Sequence, residues 1–473
     1  SSYVPIVAYV HTYGSASSGA TMLMPIETWG HSYISVNSFQ SYAANCFSWA
    51  YVVANHDNTV VEITPSQLTR NGRLANQSFS VTLNKGEIYQ VIGANPTGGA
   101  TALELTGTRF KSLANSNGIC YPIAVFSGSS RTSNPMPCGT GGGDNDNQQL
   151  LPRQGWGKRY FLAPLVSTTN INTNQTNGYK VIIRKPGTIV RRNGTVLTGL
   201  NNGAYFFSSN TADLVESDEP IMIAQFMSGG ATCLGGTGSV GDPEMIIISP
   251  IEQGIKKVGF FRNNQQQITF NYFTMVVPNG GTGLSSVRID GQPLSAIAAI
   301  NLRTYPHPRS SAHTVVTRRW TGFSNNPNTP PGQCLVSSDS AFTAVTYGLG
   351  SVESYGYNAG TMINNLSAIP SIQNDLDKET KEHDFTCVDA PVNLSVLMAY
   401  EPTRMVWKLS SLSAIVSPSA DVTVNSPTPV ETVLVKGVPY YKYTLPGTYK
   451  FNKDGEHELP ILSTHQSVET CDF

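Results

Sequence analysis

Histidines, cysteines and acidic residues are the side chains here that could hold a metal, move a proton or attack a substrate. Eight histidines are scattered along the chain: His11, His31, His56, His307, His313, His383, His457 and His465. None carries the H-E-x-x-H spacing, no serine sits in G-x-S-x-G, and no glycine-rich loop ends in a phosphate-cradling lysine. His307 and His313 share a basic, Pro-containing stretch with Arg309, Arg318 and Arg319. That stretch could touch an anionic glycan, but it reads as a loop of solvated charge. Asp144, Asn145, Asp146 and Asn147 follow Gly141, Gly142 and Gly143 and alternate their oxygens as a calcium loop does. The later bidentate glutamate is missing, so the run reads as an Asx-rich turn. Asp242 and Glu244 flank Pro243, which also suggests a turn. A carboxylate pair for glycoside hydrolysis is not excluded by spacing, but no acidic residue sits in a distinctive local motif. The expectation is a chain that is not an enzyme, with no catalytic, cofactor-binding or metal site.

Seven cysteines, Cys46, Cys120, Cys138, Cys233, Cys334, Cys387 and Cys471, form no C-x-x-C pair and no zinc spacing. Their wide spacing suits an oxidising compartment. Disulfides are expected at Cys120–Cys138 and Cys387–Cys471, with Cys233–Cys334 a weaker third pair and Cys46 left as a buried thiol. Closing the short first loop contributes about 3 kcal/mol.

The elements that must position these residues read as strands. Of 473 residues only 13% are charged and the formal net charge is −1. A near-neutral chain carries no field that draws nucleic acid or an acidic membrane. No run approaches the roughly 18 apolar residues of a spanning helix. The start reads as mature or trimmed, and the chain as part of something longer. Val, Ile, Thr and Tyr cluster between Gly, Pro and Asn throughout, which is a strand-and-turn pattern. The one helix candidate, residues 372–383, reads equally as a solvated linker.

Internal repetition sets the organisation. PIVAY at residues 5–9 recurs as PIAVF at 122–126 and PIMIAQF at 220–226, with a weaker echo, FTAVTYG, at 342–348. A second block follows each of the first three: LMPIETWGHSY from residue 23, LLPRQGWGKRY from 150 and ISPIEQGIKKV from 248. Trp29 and Trp156 are expected to anchor cores. Pro25, Pro152 and Pro250 are expected to open strands or lie at their edges. The fold class is therefore all-β: three related β-sandwich-like repeat units followed by an Ig-like β-sandwich domain. The boundaries read as 1–118, 119–218, 219–370 with a closing strand, a charged linker at 371–386, and the sandwich at 387–473. The echo at 342–360 has no second block after it, so it is expected to complete an earlier unit, the third or, by closing the array, the first.

These blocks carry a resemblance. Residues 18–25 (SGATMLMP), 49–55 (WAYVVAN), 122–129 (PIAVFSGS), 241–245 (GDPEM) with 249–253 (SPIEQ), and 347–360 (YGLGSVESYGYNAG) resemble the N-terminal region of the IgGFc-binding family. The likeness runs from residue 5 to about 366. It is closest to that region in large bacterial surface proteins beside gliding-motility-associated and type IX sorting domains. The resemblance implies a secreted, cell-surface module with an adhesive or architectural role, and no catalytic residue set. Implied partners are a protein or glycan at the cell surface and other domains of the same polypeptide, with no nucleic acid and no membrane span. Antibody binding does not carry over, because fold does not fix function. The alternative is a glycan-binding, or glycan-cleaving, β-protein. Aromatics lining a concave face would favour binding, and two carboxylates facing across a cleft would favour an enzyme.

Overall fold

The computed structural model describes residues 7–14, 17–40, 43–116, 120–132, 143–200, 203–227, 229, 240–263, 268–321, 332–361, 369–377, 382–383, 386–398, 401–435, 438–454, 457 and 459–464. It is nearly all β and divides into two compact units, Ser1–Ile363 and Asn364–Phe473.

In the first unit an N-terminal hairpin, β1 (Ala8–Gly14) and β2 (Ser17–Leu23), precedes three versions of one antiparallel trio. In the first, β3 (Ser48–Ala54) pairs with β4 (Ile123–Thr132), which pairs with β5 (Asp144–Gln149). In the second, β6 (Asn177–Ile183) pairs with β7 (Leu214–Met227) and β7 with β8 (Glu244–Ile248). In the third, β9 (Ile268–Pro278) pairs with β10 (Gln333–Gly350) and β10 with β11 (Glu353–Asn358). The repeated PIAVF-type run is thus the middle strand of each trio. It completes the sheet begun before it, so the sheets run across residues 118 and 218. The echo at 342–348 is the same strand of the third trio: Ala344, Val345 and Tyr347 stand opposite Met275, Thr274 and Tyr272.

Side-chain alternation explains why the middle trio is buried on both faces. From β7, Met222, Ala224 and Phe226 enter the core shared with the first repeat, while Ile221, Ile223 and Met227 enter the core shared with the third. β8 does likewise, with Met245 and Ile247 on one side and Ile246 and Ile248 on the other. A sheet covered on both faces reads as a continuous apolar run. Strand β3, covered on one face, keeps the half-buried alternation of Trp49, Tyr51 and Val53.

Sequence repetition around Trp and Pro has a local cause. Pro25, Pro152 and Pro250 each cap a short 3-10 turn (Ile26–Thr28, Arg153–Gly155, Ile251–Gln253) instead of opening a strand. Proline's fixed φ and missing N–H suit that position. The indole N–H of Trp29 donates to Met24 O and that of Trp156 to Leu151 O, both at 3.2 Å. Next, the Gly30 and Gly157 N–H groups donate to the hydroxyls of Tyr33 and Tyr160. Those hydroxyls in turn donate to the carbonyls of Ile123 and Ile221. Trp156 is buried and Trp29 half-buried.

The strands that lead into these turns, β2, β5 and β8, gather with β11 at a hub: β2 packs on β5 and β11, and β8 on β5 and β11. Side chains stitch it to backbone. Gln148 Nε2 donates to both Ala20 O (2.7 Å) and Gly356 O (3.0 Å). Ser18 Oγ donates to Ser354 O at 2.6 Å, and Asn358 Nδ2 to Ile247 O at 2.9 Å. The N-terminal hairpin thereby closes the array: Ala20 joins the third repeat's core, with Tyr9 and Met22 packed against it.

The second unit has its own core around Trp407, Leu394, Val396 and Tyr443. One sheet contains Ile369–Asn374, Val392–Met398, Val438–Thr444 and Glu431–Val435; the other centres Arg404–Trp407 between Val422–Asn425 and Ile461–Thr464. The arrangement is sandwich-like. The stretch expected to be a charged linker opens with part of a strand, since Ile369–Asn374 pairs with Val392–Met398; residues 378–381 lie outside the described ones.

Candidate functional site

The first and second repeats diverge around a cleft holding about 2520 Å³ of space, part of it open to solvent. Its floor is Lys180 on β6. That residue shares a strand face with Ile182, which belongs to the core packed against the first repeat. Lys180 Nζ donates to Asn37 O at 2.6 Å and to the Glu104 carboxylate, and lies 4.1 Å from the Phe39 ring centre. Burial pulls the ammonium below its usual range, while Glu104 and Asp146 work against that shift. Phe39 meets Phe206 edge-to-face at 5.0 Å. Both rings are half-buried, as is neighbouring Tyr205. Arg109, Arg184 and Asn76 are exposed at the mouth, and Ser66, Gln67 and Thr106 add hydroxyl and amide groups. Aromatic faces beside neutral polar donors suit a hydroxylated ligand. The lysine is committed to its glutamate, and among the described residues no histidine lines the cleft.

The residues singled out from sequence land elsewhere. His307 and His313 flank the Phe161 ring at 4.8 and 4.2 Å. Burial lowers His307 to about 4 and also lowers His313. Arg319 is buried and donates to Thr168 O and Ile300 O. Arg318 donates to Asn301 O, and Arg309 is exposed. The expected loop of solvated charge is therefore a packed hairpin, Leu302–His307 with Ser310–Thr321. Its cations satisfy carbonyl groups that a sheet corner would otherwise strand.

Asp144 and Asp146 are not in a turn. They alternate along β5 and are both fully buried. Asp242 just before β8 and Glu244 at its start sit at the matching positions, eight and six residues ahead of Pro250 as Asp144 and Asp146 are ahead of Pro152. That equivalence is the sequence signal for the hub. Burial raises all four carboxyls, Asp144 to about 9, Asp146 and Asp242 to about 7, and Glu244 well above its usual value. Like charge adds to the effect. Asp242 and Glu353 act on Asp144, Glu353 acts on Asp242, and Asp146 with Asp144 acts on Glu244. Opposing cations are Lys180 near Asp146 and Arg131 near Asp242. Asp146 accepts from Ser129 N (2.6 Å) and Ser38 Oγ, and Glu244 from Met245 N and Gly356 N.

The cysteine expectations divide. Cys120 is disulfide-bonded, and its expected partner Cys138 lies outside the described residues. Cys387 is a free, exposed thiol and Cys334 a free, buried one, so neither Cys387–Cys471 nor Cys233–Cys334 is formed. Cys334 Sγ instead points at Asp290 Oδ2, 3.2 Å away, inside the third core. Cys46 is a buried free thiol. Among the described residues no helix is long and apolar enough to cross a membrane.

No curated protein matches the chain. The family model for IgGFc binding protein matches residues 19–348. That span runs from the hub strand β2 through the two Trp–Gly–Tyr staples to the middle strand of the third trio. It covers more than half of the chain, which therefore belongs to the IgGFc-binding protein family.

Proposed function

We propose that this chain is a non-catalytic, extracellular binding module of a larger bacterial cell-surface protein, with an adhesive or architectural role, and that a glycan or glycoprotein seats in the cleft between its first two repeats. The observation that carries the reading is the edge-to-face pair of half-buried Phe39 and Phe206 beside the neutral polar groups of Ser66, Gln67 and Thr106 in the cleft. Family membership supports a secreted setting and a macromolecular ligand. The family's name speaks of IgG Fc, which makes Fc one arm of the test. Glu104, the carboxyl among the cleft's lining residues, is committed to Lys180, while the carboxyls raised by burial lie at the hub.

The test presents the purified chain to a glycan array and to immobilised IgG Fc, and assays each bound glycan for turnover. Binding is expected to fall about tenfold or more in Arg184→Ala and in Phe206→Ala, whose truncation removes a stacking face, with no turnover in any variant. Ligand binding indifferent to both substitutions would remove the cleft from the account. Turnover abolished by one Asp or Glu substitution would replace the module with an enzyme.

A further inference from the structure

Glu104 and Lys180 come from different repeats and meet at the cleft floor mostly out of water, the lysine side chain 5% exposed and the glutamate 21%. Three oxygens surround the amine. Besides the Glu104 carboxylate, it donates to Asn37 O at 2.6 Å and to Thr106 Oγ1 at 3.4 Å. The rings of Phe39 and Phe226 lie 4.1 and 5.5 Å from it. The Thr106 hydroxyl touches both members of the pair, because it also donates to Glu104 Oε1. Asn37 N donates to that hydroxyl at 2.9 Å and holds it in place.

A buried ion pair carries a desolvation cost on both charges. Passing one proton from ammonium to carboxylate removes both at once, and burial pulls Lys180 in that direction. A lysine amine desolvated among apolar groups is a nucleophile. Here the carboxyl carbon stands one bond beyond the oxygen that the amine already touches. Contact held by the fold replaces a chance encounter, and well-oriented pairs of this kind reach effective molarities on the order of 10⁵ M or above.

We infer that Lys180 and Glu104 condense into an intramolecular isopeptide bond that staples the first repeat to the second, with the Thr106 hydroxyl relaying the proton. The amine attacks the Glu104 carboxyl carbon. A C–N bond forms, a C–O bond breaks, and the oxygen leaves as water with the carboxyl proton and one amine proton. No oxidant, reductant or co-reactant is needed. The N–H that remains is left to donate to Asn37 O, and the open cleft gives the water its way out. The step runs once per chain, so it fits a module without turnover, and it does not depend on what the cleft binds.

The experiment incubates the full native chain at neutral pH, then reduces and denatures it for intact mass spectrometry and tryptic mapping. The chain is expected to be lighter than its sequence by the mass of one water. Trypsin should fail to cut after Lys180 and should release a branched peptide joining residues 86–109 to 160–184. Glu104→Ala and Lys180→Ala are expected at their full sequence masses. Thr106→Val should leave unlinked chain where the parent has none, and Thr106→Ser should restore the linkage. The parent's mass and map decide the matter even if a variant fails to fold. A parent of full sequence mass, cut after Lys180, would overturn the bond and leave an ion pair. A mass deficit that persists in both alanine variants would overturn it too, and complete linkage in Thr106→Val would overturn the relay.

Discussion

Tyr33 and Tyr160 hold the repeats together with one hydroxyl each, accepting from a glycine N–H and donating to the carbonyl that opens the middle strand. Tyr160→Phe keeps the ring and strands both partners in a buried site. A loss of about 1–3 kcal/mol is expected, read as a lower denaturant midpoint with an unchanged slope. The hub carboxyls give a second expectation. In the folded chain Asp144 rises to about 9 and Asp242 to about 7, against about 3.9 unfolded. A raised carboxyl contributes stability that is complete below its unfolded value and is lost as pH climbs through its folded value. Half-buried His11 and buried His307, lowered to about 4, act oppositely, losing stability as pH falls below about 6.5. Above that point the histidines no longer contribute. The unfolding midpoint should therefore decline from neutral pH to about pH 9, and Asp144→Asn should flatten the decline. A profile equally steep in that variant would refute the assignment.

At the level of elements, the turns after Pro152 and Pro250 touch. A Cβ on Gly157 would lie 2.3 Å from Pro250 Cβ. Gly157→Ala must push two repeats apart and is expected to destabilise by about 1–3 kcal/mol, measured by chemical unfolding. A neutral outcome would mean the two blocks do not abut. The strands and the threefold block order were legible in the sequence because apolar alternation and Pro-Trp-Gly-Tyr spacing are local. Proline's true place was not, since a 3-10 turn of three residues leaves the same signature as a strand edge. Ile369–Asn374 was obscured by the acidic run that follows it. The packing of His307 and His313 on Phe161 was equally hidden, because it joins residues about 150 positions apart.

The whole first unit depends on its last strands. β10 lies between β9 and β11, and β11 seats on β2. Deleting residues 341–366 removes a central strand half and the closing strand together. Global unfolding of the first unit is expected, seen as loss of its cooperative thermal transition, while residues 364–473 expressed alone should fold around their own core. An intact transition after the deletion would show the closing strands to be dispensable. The cleft was invisible to sequence for the same reason as the hub: Lys180 and Glu104 come from different repeats, and only the closed array makes them neighbours.

Closure at the hub also decides how the molecule meets mechanical force. β2 and β11 lie at opposite ends of the first unit's sequence yet side by side in space. A pull on the two flanks enters at adjacent points and falls on that seam, where Ser18 meets Ser354 and Gln148 clasps both strands. The three sheets behind it stay unloaded until the seam parts. Once it parts, the load passes to the repeats behind it, about 330 residues whose full extension spans on the order of 1,100 Å, making the seam a mechanical fuse between the two flanks.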